Sequence, residues 1–222
     1  MLNKSVAAAA TAVALLSAVV APVRAESVRN VVIVHGAFAD GSGWRQVASI
    51  LVKDGYTVSV VQEPLTSLAD DVAATKSVLD LQPGPTLLVG HSYGGVIITE
   101  AGDASNVVGL VYIAAFIPDQ GQSALDLLSQ APAPNKDMRA TKDDFLYLDP
   151  AAFPADFAAD IPVAEAHFMA HSQPMLAKVA AAAQVTTAAW RQKKSWALVA
   201  TRDRNIIPIS SAAWPSGPAA KR

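Results

Sequence analysis

The pentapeptide Gly90-His91-Ser92-Tyr93-Gly94 constrains this chain more than any other stretch of it. It follows the apolar run Thr86 to Val89 and precedes Gly95-Val96-Ile97-Ile98, so the serine is expected on a sharp turn from a buried strand into a helix. Glycines on both sides let the backbone take a strained path there, and such a turn holds the hydroxyl out from the chain. A structural glycine-rich turn with a bystander serine is the alternative; the five-residue pattern alone is a weak signal, and strand, turn and helix together are a strong one.

The rest of the chain supplies the sheet that such a turn needs. Short apolar runs bounded by turn residues alternate with helix-length segments, the pattern of an α/β domain with a mostly parallel sheet and flanking helices. Five strands are predicted: Val31 to His35, Tyr56 to Val61, Thr86 to Gly90, Val107 to Ala114 and Trp196 to Thr201, all reading as buried on both faces. Between the second and third, Ser67 caps a helix with Asp70 and Asp71 in its first turn and Leu68, Val72, Thr75, Val78 and Leu79 as its inner stripe. Pro83-Gly84-Pro85 ends it. From Pro118 to about Trp190 the strand pattern stops, and Ala-rich, Pro-punctuated text predicts an inserted helical cap. Its larger apolar residues are Phe145, Phe153, Phe157 and Met169, and Pro132-Ala133-Pro134 marks a loop.

The full chain is 52% hydrophobic and 16% charged, enough apolar material for 26–222 to pack as one domain. A net charge of -2 without a basic cluster argues against a nucleic-acid partner. Residues 1–25 read as a signal peptide: Lys4, the apolar run Val6 to Val20, then Val23-Arg24-Ala25 before Glu26. An exported protein, periplasmic or secreted and free of the membrane after cleavage, is expected. The sequence has no cysteine, so disulfide and thiolate chemistry are excluded.

Two further segments can complete the chemistry of Ser92. Val34-His35-Gly36-Ala37-Phe38 closes the first strand. A tetrahedral intermediate needs amide donors aimed at its oxyanion, and the N–H groups of Ala37 and Tyr93 are the candidates, with His35 holding the loop. A plain turn is the alternative. Beyond the last predicted strand, Ala200-Thr201-Arg202-Asp203-Arg204 offers Asp203 as the acid that orients a base. The competitor for that role is Asp119, and the alternative for Asp203 is a surface partner of Arg202 or Arg204.

Together with His35-Gly36-Ala37-Phe38-Ala39-Asp40-Gly41-Ser42-Gly43-Trp44, Val111-Tyr112-Ile113-Ala114-Ala115-Phe116 and Ser195-Trp196 through Asp203-Arg204, the pentapeptide makes the chain from Val31 to about Ile206 resemble a known family. It resembles the small, cap-bearing α/β-hydrolases, bacterial esterases similar to plant methylesterases and hydroxynitrile lyases. The resemblance implies the α/β-hydrolase fold, Ser92 as nucleophile, Asp203 as acid, Ala37 and Tyr93 as oxyanion donors, no metal or organic cofactor, and small hydrophobic esters as substrates.

In that family a helix, a strand and a loop with a Ser-His pair follow the acid, whereas this chain runs to Arg222 without a further histidine. The last strand and helix and the catalytic histidine are therefore expected to be missing, with activity impaired and an apolar sheet edge uncovered. The aberrant tail, 207–222, reads Trp214-Pro215-Ser216-Gly217-Pro218-Ala219 where family members often read Met-Ala-Lys-Arg-Ala-Gly, which is expected of out-of-frame text. Of the four histidines, His35 and His91 are expected to point into the scaffold. His167 and His171, four apart, share a helix face as solvated or packing residues, as substitute bases, or as two ligands of a metal site lacking a third.

The function expected is hydrolysis of small hydrophobic carboxylic esters through an acyl-enzyme on Ser92. Two alternatives stand beside it: a hydroxynitrile-lyase-like enzyme, which would want Lys136 or Lys142 near the serine, and an inactive hydrolase-like protein that binds an apolar small molecule under its cap. Oligomeric state is not legible in the sequence.

Overall fold

The computed structural model describes residues 27–130 and 136–206. The expected leader, the Pro132-Ala133-Pro134 loop and the tail from 207 lie outside them. Along the chain run β1 (Asn30–Val34), α1 (Arg45–Lys53), β2 (Thr57–Val61), α2 (Leu68–Asp80), β3 (Thr86–Ser92), α3 (Gly94–Ala101) and β4 (Val107–Ala115). Then come α4 (Ala124–Gln130), β5 (Met138–Ala140), β6 (Phe145–Leu148), α5 (Phe153–Asp156), α6 (Val163–Ser172), β7 (Leu176–Ala177), α7 (Lys178–Ala182) and β8 (Lys194–Leu198).

Five strands form one sheet in the order β2-β1-β3-β4-β8, and every neighbouring pair is parallel. The two-residue alternation of a strand divides β1 cleanly. Val32 and Val34 join Leu88, Leu110, Tyr112 and Ile97 in the main core, while Val31 and Ile33 pack with Val89 against Trp44 and Leu51 on the opposite face. Each such fully buried side chain contributes about 2 kcal/mol to the fold. The central strands β1 and β3 are covered on both faces, as their unbroken apolar text requires. The flanking strands are not. β2 is exposed at Thr57 and half-buried over the next three residues, and β8 leaves Leu198 66% exposed on the sheet edge. The expectation of burial on both faces is thus corrected for these two, and the last strand covers Lys194–Leu198 rather than Trp196 to Thr201.

Ser67 caps α2, its side chain accepting from the Asp70 N–H, as the sequence predicts. The segment between β4 and β8 departs from an all-helical cap. It holds a small antiparallel sheet, β5-β6-β7, together with α4 to α7. Phe145-Leu146-Tyr147-Leu148 alternates half-buried and buried residues, which is a strand signature four residues long. Strands of two to four residues fall below the length at which period two stands out in a sequence. Among the described residues, no helix is long and apolar enough to cross a membrane.

Candidate active site

Ser92 is the last residue of β3 and has φ 52°, in the left-handed region that a serine enters only at a cost of about 1 to 3 kcal/mol. The pairing of β3 with β4 explains how that conformation is held. His91 lies opposite Ile113 but Ser92 lies opposite Ala115, which leaves Ala114 as the extra residue of a bulge at φ 41°. The Phe116 N–H then donates to the Ser92 carbonyl (3.1 Å) and locks the end of the strand. Tyr93 caps α3, which turns back immediately because its first residues carry no side chains. A β-carbon on Gly95 would stand 2.1 Å from the Phe116 carbonyl oxygen.

The loop after β1 crosses directly over this turn. A β-carbon on Gly36 would meet Ser92 Cβ at 2.7 Å, so glycine is what lets the loop approach the serine. Ala37, the next residue, is buried and lines an apolar pocket together with Ser92 and Tyr93. Both residues expected to donate therefore line one pocket with the serine. Its remaining wall is almost wholly hydrocarbon, with Phe116, Leu125, Leu146, Leu148 and Leu176 among its lining residues. Ser92 also lines a second cleft, of mixed polarity and about 480 Å³, with His91, Asp160, Arg202 and Asp203 among its lining residues. Ser92, Phe157, Asn205 and Ile206 line both spaces, so the serine stands where an apolar and a mixed compartment meet.

Asp203 sits in the loop beyond β8 and lines the cleft with Ser92. Its Oδ1 accepts from the N–H groups of Asn205 (2.8 Å) and Ile206 (2.9 Å). Arg204 pairs with Asp156 (3.5 Å), and Asn205 Nδ2 donates to the Asp156 carbonyl (2.8 Å), which pins the loop to α5. The competitor Asp119 lies elsewhere. It is clamped by Arg191, which donates from Nε (2.8 Å) and from Nη2; these bonds hold its carboxyl below the usual range against a small opposing effect of burial, and it lines neither cavity.

Histidine placement narrows the options for a base. His35 Nδ1 lies 2.8 Å from the Gly36 carbonyl, an acceptor, so that nitrogen carries a proton; Nε2 is 2.7 Å from Glu63 Oε2. Burial lowers the proton affinity of His35, but the Glu63 hydrogen bond and charge outweigh it and raise it; burial raises that of Glu63. The pair holds the loop, as expected of His35. His91 requires a correction. Its ring meets Trp44 edge-on (centroids 6.1 Å apart) and also lines the cleft rather than turning wholly into the scaffold. Burial drives its pKa down to about 4, against the opposing charge of Asp203, so the ring is neutral at neutral pH. His167 and His171 are exposed on α6 and line neither cavity; the same is true of Lys142, and of Lys136. Among the described residues, no three His, Cys, Asp or Glu side chains cluster as a metal site would need.

Sequence reasoning missed two buried acids. Nothing in the sequence marks Glu63, and Asp71 has the ordinary explanation of a first-turn charge complementing the helix dipole. In fact Asp71 is fully buried and bonded to the Tyr93 hydroxyl and the Leu65 N–H. A signal was present, since Leu68, Asp71, Thr75 and Leu79 recur at helical spacing and are the buried face of α2.

A carbendazim-hydrolysing esterase of Nocardioides sp. (strain SG-4G) is 34% identical to this chain over 119 residues, covering 47% of this chain and 49% of the esterase. Putative methylesterase 15, chloroplastic, of Arabidopsis thaliana is 30% identical over 134 residues, covering 54% and 30%. The chain therefore spans about half the length of the first curated relative and less of the second. The crystal structure of polyneuridine aldehyde esterase superposes with a TM-score of 0.68 at 15% identity, covering 82% of this chain and 84% of that one, a likeness of fold. The family model described as the alpha/beta hydrolase family matches residues 31–221, which takes in the sheet from Val31 onward, the serine turn and the Asp203 loop. On that match and that architecture, the chain belongs to the alpha/beta hydrolase family.

Proposed function

We propose that the chain is a serine hydrolase that cleaves small hydrophobic carboxylic esters through an acyl-enzyme on Ser92. The observation that carries this is the position of Ser92 on a strained strand-to-helix turn, where it lines both an apolar pocket and the Asp203 cleft. In this reading the ester carbonyl is attacked by Ser92 Oγ, the N–H groups of Ala37 and Tyr93 stabilise the oxyanion, and the hydrocarbon-lined pocket takes one arm of the ester. Each donor contributes about 3 kcal/mol to the transition state. Asp203 would orient a base and balance the charge it acquires.

Among the described residues, the base is the weak point of the site. Both ring nitrogens of His35 are engaged, His167 and His171 are remote, and His91, with a pKa of about 4, is a poor proton acceptor. A serine without a base stays protonated and is a weak nucleophile, and loss of the base lowers turnover by about a millionfold in another serine hydrolase. With the described residues alone, slow hydrolysis is accordingly the expected behaviour.

The test is turnover of a short-chain p-nitrophenyl ester with acid-quench trapping and identification of both products. Acid plus alcohol, with a transient acyl group on Ser92, supports the reading. Cyanide release from a cyanohydrin in place of ester cleavage would replace it by a lyase, and saturable binding of an apolar ligand, unchanged in Ser92→Ala and without turnover, by a binding protein.

A further inference from the structure

The carboxylate of Asp71, 0% exposed, is the hub of a buried network under the serine turn. Its Oδ1 accepts the Leu65 N–H (2.7 Å), and its Oδ2 accepts the Tyr93 hydroxyl (3.1 Å). Tyr93 Oη also lies 3.4 Å from the Ala180 carbonyl of α7, but one hydroxyl proton serves one short bond, and the charged acceptor is the nearer. Leu65 is itself strained, at φ 57°, and its carbonyl accepts the Ala177 N–H (2.9 Å). One carboxylate thus ties together the turn that bears Ser92, the turn before α2, and the β7–α7 segment whose Leu176 and Ala181 wall the apolar pocket.

We propose that Asp71 is a positioning residue for the ester chemistry: by holding the Tyr93 hydroxyl it fixes the backbone that carries both Ser92 and the Tyr93 N–H. This rests on the reading of Ser92 as nucleophile. The lever is short, because the anchored ring and the oxyanion donor belong to one residue, and the Tyr93 side chain is buried. Packing alone would be met by an uncharged residue, whereas burying a carboxylate is costly unless its bonds are needed. The titratable groups facing it are Tyr93, Glu63 of the β2–α2 connection and Asp70 of its own helix, while α7 offers a backbone carbonyl. Burial first, then the charges of Glu63 and Asp70, push its pKa up to about 6 against the Leu65 and Tyr93 bonds. Above that value the ionised group accepts both bonds; below it, protonation loosens the hold on Tyr93.

The experiment is the rate at which an aryl phosphonate labels Ser92, with imidazole supplied as base, in wild type, Asp71→Asn, Tyr93→Phe and the double variant from pH 5 to 9. At pH 8 each single variant should label about tenfold to a hundredfold more slowly, as small misplacements of reacting groups do. The probe concentration for half-saturation should stay the same, and the double variant should be no slower than the worse single one. The ratio of wild-type to Asp71→Asn rates, in which the imidazole's own titration cancels, should fall toward one below about pH 6. Wild-type rates and an unaltered pH ratio in folded variants overturn the proposal while leaving the nucleophile in place. Should Asp71→Asn fail to fold, Tyr93→Phe, which removes one oxygen, decides alone. Failure of the wild type to form any Ser92 adduct overturns both the nucleophile reading and this proposal with it.

Discussion

His91 and Asp71 make opposite and nearly equal demands on acid stability, and separating them is a stringent test of the buried electrostatics. The folded pKa of His91 lies at about 4, below its ordinary 6.5, because burial disfavours the charged ring. Its contribution is present above pH 6.5 and is lost as pH falls toward 4, where the unfolded chain binds the proton first. Asp71 runs the other way. Its pKa is raised from 3.8 to about 6, so its contribution is present below 3.8 and lost as pH rises through 6. Each displacement corresponds to about 3 kcal/mol, so between pH 7 and pH 4 the two offset each other in the wild type. His91→Gln should therefore lose about 3 kcal/mol less than wild type over that interval, and Asp71→Asn about 3 kcal/mol more. Urea unfolding followed by circular dichroism at half-unit pH steps reads these differences directly, and constant packing costs of either substitution cancel. Three parallel stability-against-pH curves would refute the burial of both charges. A shift of both variants in the same direction would refute the sign assigned to one of them.

Three other outcomes follow from the geometry. Gly95→Ala sets a methyl group 2.1 Å from the Phe116 carbonyl, and should lower stability by about 3 kcal/mol, a melting shift of about 6 to 12 °C; an unchanged melting curve would contradict the close approach of α3 to β4. Beyond its own cleavage of p-nitrophenyl acetate in solution, added imidazole should accelerate the wild type and not Ser92→Ala, because the cleft of about 480 Å³ beside Asp203 has room for the ring; equal acceleration in both would mean solution chemistry only. Leu198→Lys, on the exposed edge of β8, should raise the concentration at which the protein aggregates in light scattering, and no change would show that this edge is not the adhesive surface.

How far the sequence carried depended on the length over which each signal is averaged. β1, β3 and β4 were legible because runs of four or more branched residues flanked by turns have few other solutions, and the parallel order followed from the helices between them. The position of Ser92 was legible because the glycines of 90–95 do one steric job, confirmed by the contacts a β-carbon would make at Gly95. β5, β6 and β7 were not, since Met-Arg-Ala, Phe-Leu-Tyr-Leu and Leu-Ala are too short for a period of two to stand out. Exposure of the flanking strands also escaped, because Thr57-Val58-Ser59-Val60 and Ser195-Trp196-Ala197-Leu198 are apolar enough to pass for core. Asp71 shows a different limit. Its helical spacing pointed inward, but a first-turn aspartate has an ordinary explanation at the surface, and only the Tyr93 hydroxyl above it reveals why the charge is buried. For the site, the sequence brought Ser92, Ala37 and Tyr93 to one pocket and Asp203 to the adjoining cleft, yet it had no means of seeing that Arg191 occupies Asp119 or that His91 faces the cleft.

The most direct test of the central claim is peptide mass spectrometry of the protein after incubation with an aryl phosphonate and imidazole, beside the Ser92→Ala variant. The account predicts a single slow adduct, on residue 92 in the wild type and absent from the variant. An adduct on another residue, the same adduct in Ser92→Ala, or none at all would contradict the assignment of Ser92 as the nucleophile.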